Sequence, residues 1–254
     1  MEPCPHEISP IEDRLEKDAY NRGVFASQFS EEQSDLHFLA TEFARFGGHL
    51  TPIDLPEFAL AGDLYRMASD ALGSASLFVM SAKGLDALTF VRKAVEAIAY
   101  ASYVTREPEM ARLYVERKKR VQAFRLRFRR SRLFPKGSEI RERLFDLYNI
   151  SSDVGTHANL EGFIGRRSSE IRGDSTSVAY ESYDLDPKML NRYLLVVLRT
   201  FCMVYSSLVD VFSQYIADSE EVSRIDGVII ARYSAACRRF FQRWPDEIPP
   251  SQAT

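Results

Sequence analysis

Apolar residues recur along most of this chain at spacings of three and four, the period of a helix with one buried face, while strand-like alternation is confined to one short stretch. Start and stop signals cut that pattern into helix-sized pieces. Ser30 with Gln33 has the form of a capping box and Gly47-Gly48 supplies a stop, which predicts a helix through Leu36, Leu39 and Phe43. A second helix is predicted from Asp54-Leu55-Pro56-Glu57, with Asp54 as the cap, Pro56 at the first helical position and Gly73 at the end. Ser76 then opens a longer helix to about residue 104, with Leu88, Val91, Val95 and Ile98 on one stripe. Ala94, Ala97 and Ala101 lie on an adjacent face that another helix can approach closely.

Pro108 starts a charged helix in which Met110, Tyr114, Val121, Phe124 and Phe128 fall on one face, and Pro135 with Gly137 ends it. Ser138 can cap a further helix carrying Ile140, Leu144 and Leu147. After His157, Ser177 to Tyr180 reads as a strand and Gly173-Asp174 as a turn, so a small hairpin or an ordered loop is expected there. Asp186-Pro187 opens the most apolar helix, and a last amphipathic helix over residues 226–243 ends before Pro245.

These elements predict an all-α fold: one helical bundle over residues 30–245, built on a long central apolar helix and carrying one small β-hairpin after His157. Residues 1–29 form a polar N-terminal arm, for which a short helix near residues 11–20 and partial disorder are both compatible with the sequence. Residues 246–254 read as a tail. The 254-residue length suits one large domain with a substantial core. Arg199 and Asp210 interrupt the apolar run and leave ten uncharged residues between them, too few for a spanning segment, so no membrane is expected as a partner. Cys4, Cys202 and Cys237 are far apart and odd in number, which suggests neither a disulfide framework nor a zinc site and fits a cytoplasmic protein. Acidic residues and prolines occupy the first 18 positions, where a signal peptide needs a basic start and an apolar run.

Charge alters this picture. Residues 106–132 hold eleven Lys and Arg against three Glu, a local balance of +8 in a chain whose formal total is −3. Clustered cations build a surface potential that interspersed charges do not, and they point to an anionic partner such as RNA. The candidate contacts are Arg117, Lys118, Lys119, Arg120, Arg125, Arg127, Arg129 and Arg130. The competing reading is neutralisation by acidic residues elsewhere, including the arm, where nine acidic residues face three basic ones over residues 1–36. Tyr114, Phe124 and Phe128 are conceivable base-stacking partners, but they share the stripe expected to be buried.

No phosphate loop, dinucleotide fingerprint, metal-ligand cluster or nucleophile motif is recognisable, so no cofactor and no metal are expected. Two pairs at helical spacing remain as candidate catalytic residues. Asp153 and His157 are i,i+4 neighbours if the helix persists past Gly155, and a carboxylate beside imidazole suits general acid or base chemistry. A capped or oriented packed histidine is the plainer explanation. Arg92 and Glu96 stand one turn apart on the flank of the apolar stripe, where an arginine held by a carboxylate can position a phosphate or simply join two helices.

The order of these features, from Arg92-Lys93-Ala94-Val95-Glu96 through a charged helix to Leu147-Tyr148-Asn149-Ile150-Ser151-Ser152-Asp153-Val154-Gly155-Thr156-His157, resembles the uncharacterised bacterial HEPN-like helical proteins over residues 77–218. The resemblance implies a helical bundle, often a homodimer, with RNA or a partner protein as its target and a role in stress or phage defence. It also implies a metal-independent ribonuclease whose motif is an arginine followed by a histidine with four to six residues between them. With His157 as that histidine, the arginine belongs at Ser152, Ser151 or Ile150, and none of them is Arg. The resemblance therefore implies a non-catalytic relative, or a site rebuilt with an arginine from elsewhere such as Arg92. A purely structural or oligomerising module is the third reading, with the apolar helix as its interface.

Overall fold

The first stable turn is set by Ser9 and Glu12 in a reciprocal capping box: the Ser9 N–H donates to Glu12 Oε2 (2.9 Å) and the Glu12 N–H to Ser9 Oγ (3.2 Å). Helix α1 (Pro10–Gln28) follows, in a computed structural model that describes residues 9–51, 54–135, 137–155, 167–172, 175–180, 183 and 186–246. Where the sequence is compatible with either a short helix or a disordered arm, a 19-residue helix forms. Its last turn buries Phe25 in the core, followed at once by buried Phe29.

Helix α2 (Ser30–Arg45) continues after a kink at Phe29, and a 3-10 turn (Phe46–His49) closes it. Ser30 is therefore the first residue of the helix and not its cap; Phe29 holds the cap position with no side-chain bond. Helix α3 (Pro56–Met80) likewise starts at Pro56 with Leu55, not Asp54, at the cap. It also runs straight through Gly73, the residue expected to stop it. Leu72, Ala75, Ser76 and Val79 are all buried on that stretch, so core contacts on both sides of Gly73 outweigh its roughly 1 kcal/mol penalty in a helix. Ser76, expected to open the next helix, is buried within α3 and donates to the Leu72 carbonyl (2.9 Å).

The real break is at Ser81 to Lys83, where Ala82 takes a left-handed φ of 57°. Helix α4 (Gly84–Arg106) then returns along α3. Gly84 is required by close approach: a Cβ there would stand 2.2 Å from Tyr193 Cδ2. Leu88, Val91, Val95 and Ile98 are buried as expected, and so are Ala94, Ala97 and Ala101.

The charged segment departs from expectation. It forms not one helix but three short ones: α5 (Glu109–Val115), α6 (Val121–Arg127) and α7 (Arg130–Leu133). Tyr114 from α5 and Phe124 and Phe128 from α6 and its end all reach Tyr100 of α4, with ring centroids 5.4, 6.4 and 5.7 Å away. A straight helix would carry the two sets some 15–20 Å apart along its axis. Folding back lets both pack on one ring, and the break falls at residues 116–120, which include four consecutive cations that would repel along a helix.

Helix α8 (Glu139–Gly155) packs antiparallel to α4, since Arg92 meets Tyr148 while Ser102 meets Arg141. Strands β1 (Arg167–Arg172) and β2 (Ser175–Tyr180) pair antiparallel, Arg167 opposite Tyr180 and Arg172 opposite Ser175. The predicted turn residues Gly173 and Asp174 lie outside the described residues.

Helix α9 (Pro187–Phe212) has Pro187 in its first turn and Asp186 as its cap, the carboxylate accepting from the Lys188 N–H (2.9 Å). It touches α2, α3, α4 and α8 and the last helix, α10 (Ser219–Arg243), which makes it the central apolar helix of the bundle. By length and composition Pro187–Tyr215 could cross a membrane, and 61% of its most apolar window is buried inside the fold. Helix α10 begins seven residues earlier than its apolar pattern indicates, because Asp218 caps it by accepting from the Glu221 N–H (2.9 Å). The all-helical class thus holds, with the hairpin and one isolated antiparallel bridge between Leu50 and Ile216 as the β structure among the described residues.

Two buried carboxylates tie the ends of the bundle together. Glu32 is fully buried and Asp35 nearly so, both on α2. Arg239 of α10 donates from Nε to Glu32 (3.0 Å) and from a second nitrogen to Asp35, Arg243 bonds Glu32 (2.9 Å), and Arg232 bonds Asp35 (2.7 Å).

Candidate functional site

Arg92 and Glu96 share one face of α4, and that face looks onto α8 and α7. Arg92 Nε donates to Glu96 Oε1 (3.0 Å), and its NH2 donates to the Tyr148 hydroxyl of α8 (3.2 Å). Arg130, the first residue of α7, reaches the same hydroxyl from its NH2 (3.5 Å). Both guanidinium groups also lie against the Tyr148 ring, at 5.1 Å and 4.8 Å from its centroid. One buried phenol therefore gathers an arginine from α4 and one from the basic segment, beside the Glu96 carboxylate.

Burial disfavours the Arg92 charge, but hydrogen bonds and charge from Glu96, with help from Tyr148, more than offset it and raise its pKa. Burial, reinforced by Glu96, pushes the neighbouring Tyr100 hydroxyl up to about 12. At neutral pH the Arg92 guanidinium therefore stays charged and the Tyr100 hydroxyl stays protonated. Among the described residues no cluster of His, Cys, Asp and Glu could hold a metal ion.

Of the other candidates, Asp153 belongs to α8 by its backbone, five residues beyond Tyr148, and His157 lies outside the described residues. The positions that would carry the family arginine are informative. Ser151 and Ser152 are buried and donate back to the helix, to the Leu147 carbonyl (2.7 Å) and the Tyr148 carbonyl (2.6 Å). Those two sites are buried, and of the three only Ile150 is exposed.

All eight predicted contacts, Arg117, Lys118, Lys119, Arg120, Arg125, Arg127, Arg129 and Arg130, are exposed. Their local neutralisation is slight. Glu116 pairs with Arg112 (3.1 Å) and Arg120 (3.6 Å), whereas Lys118, Lys119, Arg125, Arg127 and Arg129 form no ion pair among the described residues. Acidic residues of α1 are engaged elsewhere, Asp13 with Lys17 (2.9 Å) and Asp18 with the buried Lys83 (2.6 Å). The stacking partners are another matter: Tyr114 and Phe128 are buried, and Phe124 stacks on Phe128 with centroids 4.5 Å apart. They hold the segment on α4. Between α5 and α6 a cleft of about 380 Å³ brings Glu109, Arg120 and Arg127 beside Met110, Leu113 and Leu126.

Sequence reasoning missed Tyr148, because nothing in its own spacing distinguishes it from a core aromatic; its role depends on which helices meet. Comparison of the chain with family models, with characterised proteins and with solved structures found no match.

Proposed function

We propose that this chain is a HEPN-like helical protein that binds single-stranded RNA through the phosphate backbone without cleaving it, in stress or phage defence. The observation that carries the binding is the set of exposed cations Lys118, Lys119, Arg125, Arg127 and Arg129, which form no ion pair among the described residues, anchored at its end by Arg130 on Tyr148. Binding of this kind is electrostatic and indifferent to sequence. The assignment to defence rests on the resemblance alone.

The test is fluorescence anisotropy of a labelled RNA against salt concentration, for the parent and for a variant with Lys118, Lys119, Arg125, Arg127 and Arg129 changed to Gln. Each phosphate contact on a single strand contributes roughly 0.7 to the slope of log K against log salt, so the variant loses up to about 3.5. Equal slopes in the two proteins, or no binding by the parent at low salt, overturns the proposal. RNA cleavage in EDTA by the parent but not by His157→Ala would replace it with the ribonuclease reading.

A further inference from the structure

At the far end of α4 from Arg92, roughly 20 Å along the helix axis, a second pair of arginines shares a cleft. It measures about 350 Å³ and lies between the end of α4, the start of α8 and the end of α9. Its polar lining includes Ser102, Thr105, Arg106, Arg141, Asp210 and Ser213.

Both arginines are under-compensated. Arg106 donates from Nε to the Ser102 carbonyl (2.9 Å), a cation closing the last turn of its helix, which leaves its two terminal nitrogens without a hydrogen bond among the described residues. Arg141 stands in the first turn of α8, where the helix dipole disfavours a cation. Its contacts are long: Ser102 Oγ at 3.5 Å and Asp210 at 3.6 Å, and the Asp210 side chain is 62% exposed. Burial, and next the charge of Arg141, lower the pKa of Arg106. Two cations thus converge on one cavity, with Glu107 and the solvated Asp210 as the carboxylates that act on Arg106, and buried Ser102 adds a hydroxyl at the wall.

We infer that this cleft binds a phosphoryl group, either free phosphate or a terminal phosphomonoester, between Arg106 and Arg141. Guanidinium groups suit tetrahedral oxyanions because their N–H groups form paired, charge-assisted hydrogen bonds. The residues are distinct from those proposed to carry RNA binding, so either proposal can fail while the other stands.

The experiment is a titration with inorganic phosphate in low-chloride buffer, followed by calorimetry. Binding at a single site is expected, weakened about tenfold or more by Arg106→Gln and by Arg141→Gln, the cost of one charge-assisted hydrogen bond. Asp210→Asn, an exposed change that leaves packing untouched, is expected to tighten it. Thermal melts confirm that each variant is folded. No saturable binding by the parent, binding unaltered by both arginine variants, or no tightening in Asp210→Asn overturns the inference. A competition arm identifies the source: displacement by a 5′-phosphorylated oligonucleotide but not by its 5′-hydroxyl twin assigns the cleft to an RNA end, and displacement by neither assigns it to phosphate itself or a small phosphomonoester.

Discussion

Replacing Arg239 with Met removes the one guanidinium that bridges both buried carboxylates of α2. Glu32 is fully buried, and its partners are Arg239 Nε (3.0 Å) and Arg243 (2.9 Å); Asp35 loses Arg239 but keeps Arg232 (2.7 Å). Breaking a buried pair by deleting one partner costs roughly 3–5 kcal/mol. Since Arg243 and Arg232 remain, the low end applies, about 3 kcal/mol, or roughly 6–12 °C in Tm for a chain of this size. Urea denaturation gives the difference directly.

Its pH dependence separates charge from packing. Burial by itself would raise the Glu32 pKa, but Arg239 and Arg243 outweigh it and hold the carboxyl below its ordinary value. A carboxyl with a depressed folded pKa contributes stability that is present above its unfolded pKa, near 4.3, and lost as pH falls through the folded one. In Arg239→Met part of that depression is gone, so the gap between parent and variant should be full at pH 7 and shrink below about pH 4.5. A gap under about 1 kcal/mol, or one that stays constant from pH 7 to pH 3, would refute the assignment of Glu32 and Arg239 as the electrostatic lock of the bundle.

Three further outcomes follow from the packing. Gly84→Ala pushes a methyl into the Tyr193 side chain and should cost about 1–3 kcal/mol in urea melts. Tyr148→Phe keeps the ring but removes the hydroxyl that accepts from Arg92 and Arg130; RNA affinity should fall several-fold with the salt slope unchanged, because no cation is lost. Burial raises the pKa of Cys202, with Asp226 adding to it, so peptide mapping after brief iodoacetamide treatment should find Cys202 unmodified in the native protein and alkylated once it is unfolded.

How much of the fold is legible in the sequence can be judged element by element. The long stripes of α4 and α9 are readable because one period persists over five or more turns. Boundaries fail where a local signal competes with burial: Gly73 looks like a stop, yet Leu72 and Val79 hold α3 together across it. The charged segment fails for a different reason. Its apolar spacing of four, seven, three and four fits one helix, and only the position of Tyr100 on another helix makes the folded-back form better. The Glu32–Arg239 lock joins residues some 200 positions apart, and each alone resembles ordinary surface charge on an amphipathic helix.

The same distinction governs the candidate site. The Arg92–Glu96 pair is readable because both residues lie within one turn, while Tyr148 and Arg130 join it only through tertiary packing. What the fold adds is an explanation for the exposed cations. The chain leaves α4 at Arg106, makes its basic excursion through α5 and α6, and packs back on α4 through α7, whose Arg130 reaches Tyr148 of α8. Tyr114, Phe124 and Phe128 occupy the inner side of that excursion against Tyr100, so the charged side chains between them have only the outer side left. If the proposed RNA binding holds, the aromatic residues support it by keeping that cationic surface ordered: loosening them, as in Phe128→Ala, should weaken RNA binding by releasing ordered phosphate contacts. Reduced affinity with a lower salt slope would fit that division of labour, whereas reduced affinity with an intact slope would place the ring among the contacts themselves, because stacking on a ring releases no counterions.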